Sequence, residues 1–186
     1  MPTKTDILPN HGVTGLSVSQ ADVDLFLDYL VDAKGTSAQV HDKGSEVEEK
    51  EIRDATIYYI DEKQTRLYQI LNKIAFSANK YFKYDIKGIE KAQIIHYKAP
   101  SNGYDYHLDI GPEGTAATRK ISMSLLLNEE YEGGEICFRS SEKESCTRPK
   151  IGEVVLFSSF LSHRVKPVTQ GDRYVVVTWF TGPPFR

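Results

Sequence analysis

The second half of the chain is a succession of short segments that favour β-structure. From Lys91 onward, runs rich in valine, isoleucine and aromatic residues alternate with turn residues. No helical pattern separates these runs, which argues against a parallel sheet built from βαβ units. The spacing predicts a sandwich or barrel. The predicted strands are AQIIHYKA, RKISMSLLLN, GEICFR, GEVVLFSS, HRVKPV and RYVVVTWF, and EEYEGGE is a predicted hairpin turn between two of them.

The first half of the chain predicts two amphipathic helices that pack on one face of these strands. Ser19 can cap the first helix, and the second spans about 64–82. We expect both apolar stripes to belong to the core. The first stripe is Val23, Phe26, Leu27, Leu30 and Val31, and the second is Leu67, Ile70, Leu71, Ile74, Ala75, Ala78 and Phe82.

A polar segment, GTSAQVHDKGSEVEEKE at 35–51, lies between the two helices and has no hydrophobic period. It is either a solvated loop or a lid, because long loops in compact domains are often functional. The next segment, IRDATIYYI at 52–60, predicts a strand.

Composition limits the classes of function. The 186 residues fit one domain, and the net charge of -3 with a pI near 6.0 gives no general attraction for nucleic acid. No apolar run is long enough to cross a membrane, and MPTKTDILPN lacks the apolar core of a signal peptide. We therefore expect a cytoplasmic protein, in a host cytoplasm if the chain is viral. In such a reducing compartment Cys137 and Cys146 are expected to be free thiols.

A His-x-Asp pair is the first candidate for chemistry. On a strand, His107 and Asp109 would point to the same face and present an imidazole and a carboxylate to one point. His163, at the start of another predicted strand, can supply a third ligand. Two histidines and one carboxylate form the facial triad of non-haem Fe(II) oxygenases, which leaves positions open on the metal. Taken alone, the pair favours a surface histidine beside a turn aspartate over a metal site.

An arginine in an apolar strand is the second candidate. Arg173 opens an apolar strand, and a period of two places it on one face with Val175, Val177 and Trp179. An inward guanidinium needs an anionic partner, such as a dicarboxylate cosubstrate held by two hydrogen bonds. The alternative partner is an acid of the protein itself, Asp172 or Glu153.

The order of these motifs resembles a known family. The segment 52–180 is similar to the prolyl 4-hydroxylase branch of the Fe(II)/2-oxoglutarate dioxygenases, most of all to hypoxia-sensing prolyl hydroxylases and their microbial or viral relatives. The segments that carry the resemblance are YKAPSNGYDYHLD, RKISMSLLLN, EGGEICF, GEVVLFSSFLSHRVKPV and GDRYVVVTWF.

The resemblance implies a mainly β fold, a double-stranded β-helix or jelly roll. It suggests one domain over 1–186, with helical support at about 15–85, a lid at 35–51 and the jelly-roll core at about 91–181. It also implies Fe(II), 2-oxoglutarate and dioxygen, with ascorbate as a candidate reductant. By resemblance His107, Asp109 and His163 bind the iron, Arg173 and Tyr97 bind 2-oxoglutarate, and Tyr104, Trp179, Arg53 and Arg119 bind the substrate.

The substrate implied by the resemblance is a proline residue in a peptide or protein, hydroxylated at C4 with release of succinate and carbon dioxide. A free amino acid or another small molecule is the alternative substrate. Two alternatives of another kind are a non-catalytic metal-binding jelly roll and a zinc hydrolase. The chain departs from the hypoxia-sensing enzymes at Leu126, where they place a second tyrosine on the 5-carboxylate. The full set of cosubstrate contacts therefore stays open at this point.

Overall fold

Two β-sheets face each other, and two helices pack on the outer face of the larger sheet. In the computed structural model of the chain, the described residues are 7–8, 12–38, 55–140 and 143–185. The helices are α1 (Gln20–Asp32) and α2 (Thr65–Phe82). The strands are β1 (Ile7–Leu8), β2 (Gly12–Ser17), β3 (Thr36–Ala38), β4 (Ala55–Tyr59), β5 (Gly88–Ile89), β6 (Gln93–Lys98), β7 (Tyr104–His107), β8 (Arg119–Leu126), β9 (Tyr131–Gly133), β10 (Ile136–Ser140), β11 (Lys143–Thr147), β12 (Glu153–Ser158), β13 (His163–Val165) and β14 (Val168–Thr181).

The larger sheet has the strand order β1-β2-β12-β8-β14-β6-β4-β3, with β5 and β9 added to β14. The smaller sheet has the order β11-β10-β13-β7, and the strand pairs of both sheets are antiparallel. This arrangement is the jelly-roll core that was predicted. Strands β2 and β4, which precede residue 91, belong to the same large sheet as the later strands.

The two helices form where the hydrophobic period predicts them. Ser19 caps α1, with the backbone N–H of Asp22 donating to its Oγ at 3.2 Å. The α2 stripe is confirmed, because each of its members is buried or packs against the core. The α1 stripe is wrong at one position: Val31 is 82% exposed. Only Val23 and Phe26 of that stripe are fully buried, since α1 meets the core along a narrower line than its sequence suggests.

Strand β14 confirms the predicted alternation of faces. Its residues Val176 and Phe180 pack with the helices in the main apolar cluster. Its alternate residues Arg173, Val175, Val177 and Trp179 all line one cavity between the sheets. The helix-facing side is therefore the structural core, and the other side is available for chemistry.

The segment EEYEGGE is not the predicted hairpin turn. Tyr131–Gly133 forms β9, which pairs with the start of β14. The strands before and after it, β8 and β10, lie in different sheets. Gly133 and Gly134 have φ angles of +77° and +69°, so the chain turns there from the large sheet to the small one.

The two cysteines are not free thiols. Cys137 on β10 and Cys146 on β11 are direct cross-strand partners and form a disulfide. The count of cysteines could not reveal this, because the pairing depends on the register of two strands. The expectation of free thiols rested on a reducing compartment, and the disulfide contradicts it.

The segment between the helices is only partly described. Residues 36–38 form β3, which pairs with β4, so the beginning of the predicted loop is a strand. Residues 39–51 of the predicted lid lie outside the described residues. The predicted strand at 52–60 is confirmed as β4 over 55–59. None of the helices in the described ranges is long and apolar enough to cross a bilayer.

Candidate active site

Three predicted ligands meet between the sheets. His107 ends β7 and His163 begins β13, and the two are direct partners across the strand pair. Asp109 follows β7 in a bend, with 3.5 Å from its Oδ1 to His107 Nε2 and 3.6 Å from its Oδ2 to His163 Nε2. The three ligand atoms lie within 4.8 Å of one another, which is close enough to share one metal ion.

Backbone contacts orient each ligand. The Nδ1–H of His107 donates to the Asp105 carbonyl at 2.8 Å, and that of His163 donates to the Leu161 carbonyl at 3.0 Å. Both Nε2 atoms are therefore unprotonated in the neutral rings and turn toward the metal position. The N–H of Asp109 donates to the Ser159 carbonyl at 3.1 Å, which fixes the bend after β7.

The protonation states suit a metal. Burial by itself would raise the pKa of Asp109, but the adjacent His107 and His163 rings and the Ser122 hydroxyl hold that pKa well below its usual range. Burial lowers the pKa of His163 to about 4. At neutral pH the site therefore holds a carboxylate and a neutral imidazole, the forms that bind a divalent cation.

The triad lines a cavity of about 320 Å³ between the two sheets. Its apolar walls come from the inner faces of both sheets. Its polar lining beyond the triad is Tyr59, Gln93, Tyr97, Tyr104, Arg119, Ser122, Ser124, Arg173 and Trp179.

Arg173 lines this cavity and does not pair with Asp172 or Glu153, the two acids of the protein considered as its partners. The side chain is 1% exposed, and its Nε and Nη1 atoms are buried and make no hydrogen bond. The Asp172 carboxylate contacts His96 at 2.6 Å instead, and Glu153 accepts from the Lys150 N–H. A buried guanidinium with unpaired nitrogens fits a carboxylate of a bound ligand.

The other predicted residues that the structure describes are also brought to the cavity. Tyr97 is the cross-strand partner of Arg173, and its ring lies 5.5 Å from the guanidinium. The Tyr104 ring stacks on His107 at 3.6 Å. Arg119 stacks on Trp179 at 3.7 Å and donates to the Asp109 carbonyl at 3.0 Å.

Arg53 lies outside the described residues, so its predicted contact with substrate stays a prediction. Leu126, the departure from the resembling enzymes, is buried in one apolar cluster with Tyr97 and Tyr131. The Tyr131 hydroxyl is buried without a hydrogen-bond partner.

Sequence reasoning missed two residues of the site. Glu90 holds Arg119 by a bidentate ion pair, at 2.7 Å from Nε and 2.6 Å from Nη2. Gln93 lines the cavity and its Oε1 is buried without a hydrogen-bond partner. Neither residue belongs to a local motif, because each role depends on which strands become neighbours.

Comparison with known proteins explains this set of residues. Residues 92–181 match the family model described as the 2OG-Fe(II) oxygenase superfamily. These residues form a 2OG-Fe(II) oxygenase domain. The predicted resemblance is thereby confirmed, and the family implies Fe(II), 2-oxoglutarate and dioxygen. The oxygenase domain carries the whole His107, Asp109 and His163 triad, and the donor set fits Fe(II).

Individual relatives of the oxygenase domain are hydroxylases. A PKHD-type hydroxylase of Synechococcus sp. is 43% identical over 61 residues, which cover 32% of this chain and 27% of the relative. The match thus spans about a quarter of that relative's length.

Solved structures share the fold. A Pseudomonas putida prolyl-4-hydroxylase superposes with a TM-score of 0.74 at 19% identity, covering 92% of each chain. A prolyl hydroxylase from Trichoplax adhaerens, in complex with a hypoxia inducible factor oxygen degradation domain peptide fragment, gives a TM-score of 0.65 at 21% identity, covering 87% of this chain and 77% of the other. At these identities the likeness establishes the jelly-roll fold.

Proposed function

We propose that the chain is an Fe(II)- and 2-oxoglutarate-dependent hydroxylase of a proline residue in a peptide or protein. The products would be hydroxyproline, succinate and carbon dioxide. The observation that carries this proposal is a single cavity lined by both a metal-ligand triad and a buried arginine with two unpaired nitrogens. The triad suits Fe(II), and the guanidinium suits the distal carboxylate of a 2-oxo dicarboxylic acid.

The triad would hold the metal and leave coordination positions free. His107 and His163 would bind through Nε2, because both Nδ1 hydrogens are engaged by backbone carbonyls. Asp109 would add the negative charge. When bound, iron and 2-oxoglutarate supply the oxidising chemistry, in which one oxygen atom of dioxygen enters succinate and the other enters a C–H bond of the substrate.

Arg173 would bind the 5-carboxylate of 2-oxoglutarate. Its burial strengthens this contact, because a charge-assisted pair gains more in a medium of low dielectric than in water. Tyr97 lies beside the guanidinium and would border the cosubstrate. The walls between Arg173 and the metal, which include Val175 and Ile95, are apolar and keep water away.

The substrate would lie over Trp179 and Tyr104. The Arg119 guanidinium covers one face of the Trp179 ring, and the other face would offer a flat apolar surface for a proline ring. Glu90 fixes the Arg119 guanidinium from the other side. The prolyl hydroxylases that share this fold support a proline substrate, and the one with a bound peptide fragment supports a peptide.

An anaerobic titration tests the cosubstrate site. Fe(II) is added to the protein with 2-oxoglutarate, and the visible charge-transfer band of the chelate is followed. We expect a band with the unaltered protein, no band with His107→Ala, and a weaker affinity for 2-oxoglutarate with Arg173→Ala. Arg66→Ala, an exposed arginine on α2, serves as the matched control.

A turnover experiment tests the reaction. Proline-containing peptides that gain one oxygen atom while succinate forms would support the hydroxylase. Inhibition by zinc would separate it from a zinc hydrolase, which zinc should activate. Metal binding without a charge-transfer band or succinate formation would contradict the proposal and favour a non-catalytic metal site.

A further inference from the structure

Two residues that line the cavity each carry an unpaired polar atom, one an acceptor and the other a donor. Gln93 is 6% exposed, and its Oε1 is buried without a hydrogen-bond partner. The Nε1–H of Trp179 is also buried and also has no hydrogen-bond partner. Both side chains line the cavity that holds the triad. One atom can accept a hydrogen bond and the other can donate one, and leaving both unsatisfied costs free energy unless a ligand meets them.

The strand register places Gln93 at the level of the metal. Across the large sheet, Gln93 aligns with Val177, and Val177 aligns with Ser124. Ser124 is two residues from Ser122, whose side chain is near enough to Asp109 to lower the pKa of that carboxyl. Arg173 is the cross-strand partner of Tyr97, which lies four residues from Gln93 along β6. Four residues of extended strand span about 13 Å. Gln93 therefore faces the reacting end of the cavity, away from the proposed 5-carboxylate position.

Gln93 also lies next to an accessible wall of the cavity. Its other cross-strand partner is Tyr59 on β4, which lines the same cavity and is 49% exposed. A molecule that reaches the metal from the Tyr59 side would pass the Gln93 amide.

The charges of the cavity favour a neutral ligand group at this point. Of the described residues that line the cavity, Asp109 is the sole acid, and the metal would use it. Arg119 is already paired with Glu90. A free amino acid would bring an ammonium group with no carboxylate to receive it, which is costly in a buried site. A peptide group is neutral and offers one N–H and one carbonyl.

We propose that Gln93 Oε1 accepts a hydrogen bond from a backbone N–H of a peptide substrate, while Trp179 Nε1–H donates to a backbone carbonyl. Gln93 is then a specificity residue that selects a residue within a peptide chain over a free amino acid. This inference rests on the proposed hydroxylase function and names the class of its substrate.

The test compares Gln93→Met with the unaltered enzyme. Methionine keeps the volume of glutamine and removes the amide. Ile94→Met is the matched control, because Ile94 is the next residue of β6 and is buried on the helix-facing side. A pool of acetylated and amidated pentapeptides with central proline is incubated with each enzyme. The KM of the peptide that gains one oxygen is then measured with each enzyme, and its oxidation is compared with that of free L-proline.

Cosubstrate binding is measured separately. Trp179 is the only tryptophan of the chain and lines the cavity, so its fluorescence reports 2-oxoglutarate binding without turnover. For Gln93→Met we expect the peptide KM to rise about threefold to tenfold, the effect of one neutral hydrogen bond, with 2-oxoglutarate affinity unchanged. Methylating the peptide nitrogens that flank proline should weaken the unaltered enzyme at one of the two positions and leave Gln93→Met unaffected there.

Other results overturn the inference. An unchanged peptide KM in Gln93→Met would assign Gln93 a purely structural role. A loss of 2-oxoglutarate affinity in Gln93→Met would instead assign Gln93 to the cosubstrate site. Oxidation of free L-proline in preference to every peptide, or no oxidised peptide while 2-oxoglutarate is bound, would exclude the peptide class. Failure of 2-oxoglutarate to bind the unaltered protein would instead contradict the proposed function.

Discussion

Gly134 keeps the Arg173 side chain in place by having no side chain of its own. A Cβ at this glycine would lie 2.6 Å from Arg173 Cδ and 3.1 Å from Nε. The long arginine stem is buried and has little room to move. The glycine pair that precedes β10 therefore serves the cosubstrate pocket as well as the turn between sheets.

Gly134→Ala is expected to weaken 2-oxoglutarate binding about tenfold, because the added Cβ would displace the Arg173 guanidinium. A tenfold weaker affinity corresponds to a loss of about 1.4 kcal/mol of binding free energy. Trp179 fluorescence measures the affinity. Gly114→Ala is the control, since Gly114 also has a positive φ, at +63°, but has nothing within 4 Å of its Cβ position. An equal loss in both variants would point to backbone strain and away from Arg173.

Glu90 is the second residue whose role is visible only in three dimensions. Glu90→Gln removes the bidentate ion pair and leaves the Arg119 guanidinium free to leave Trp179. We expect the peptide KM to rise about threefold to tenfold while 2-oxoglutarate affinity stays the same. Steady-state kinetics with Glu62→Gln, an exposed glutamate, as the control would show this. A fall in cosubstrate affinity would contradict the assignment.

The sequence predicted individual residues well where the chemistry is local. His107 and Asp109 are two residues apart, so the end of β7 and the bend after it bring them together, and Arg173 stands out against apolar neighbours. Glu90 and Gln93 are ordinary residues in the sequence. Gln93 is placed by the pairing of β6 with β4 and β14, and Glu90 by its backbone hydrogen bond to Trp179 of β14. No local pattern reveals either contact.

At the level of elements, the local patterns predicted most helices and strands, but not their partners. The α2 stripe was correct because a helix buries its own period. The EEYEGGE turn was wrong because the adjacent strands separate into two sheets, and β9 pairs with β14. Strand β2 went unnoticed, although it extends the large sheet beside β12.

The β10–β11 hairpin gives a prediction at this scale. Its disulfide closes a short loop, so replacing both cysteines by serine is expected to lower the free energy of unfolding by about 2–3 kcal/mol at most. Metal and 2-oxoglutarate binding should persist, because β11 does not line the cavity. Urea denaturation measures the stability, and mass spectrometry of the alkylated protein counts free thiols. Two alkylated cysteines in the purified, unreduced protein would contradict the cross-strand bond.

For the whole molecule, the buried site makes stability depend on pH. The pKa of His163 is about 6.5 in an unfolded chain and about 4 in the folded protein, where burial lowers it. Between these values the unfolded chain binds more protons than the folded one, so acid favours unfolding. Asp109, whose pKa is lowered by its histidine and serine contacts, adds a further loss when the pH falls below its usual value.

The metal-free protein is therefore expected to lose free energy of unfolding as the pH falls from about 6.5 to 4. Urea denaturation at several pH values, after removal of metal by a chelator, measures this slope. His163→Gln carries no titrating group at this position and should flatten it. An unchanged slope in the variant would show that the dependence arises elsewhere.

The direct pairing of His107 with His163 also bears on how the chain reaches this structure. A slip of one residue between β7 and β13 would turn one imidazole to the opposite face of the small sheet, and the two histidines could no longer share an ion. A metal that binds only the correct alignment stabilises that alignment alone. Iron present during refolding would therefore favour the correct register of β7 and β13 over a register shifted by one residue.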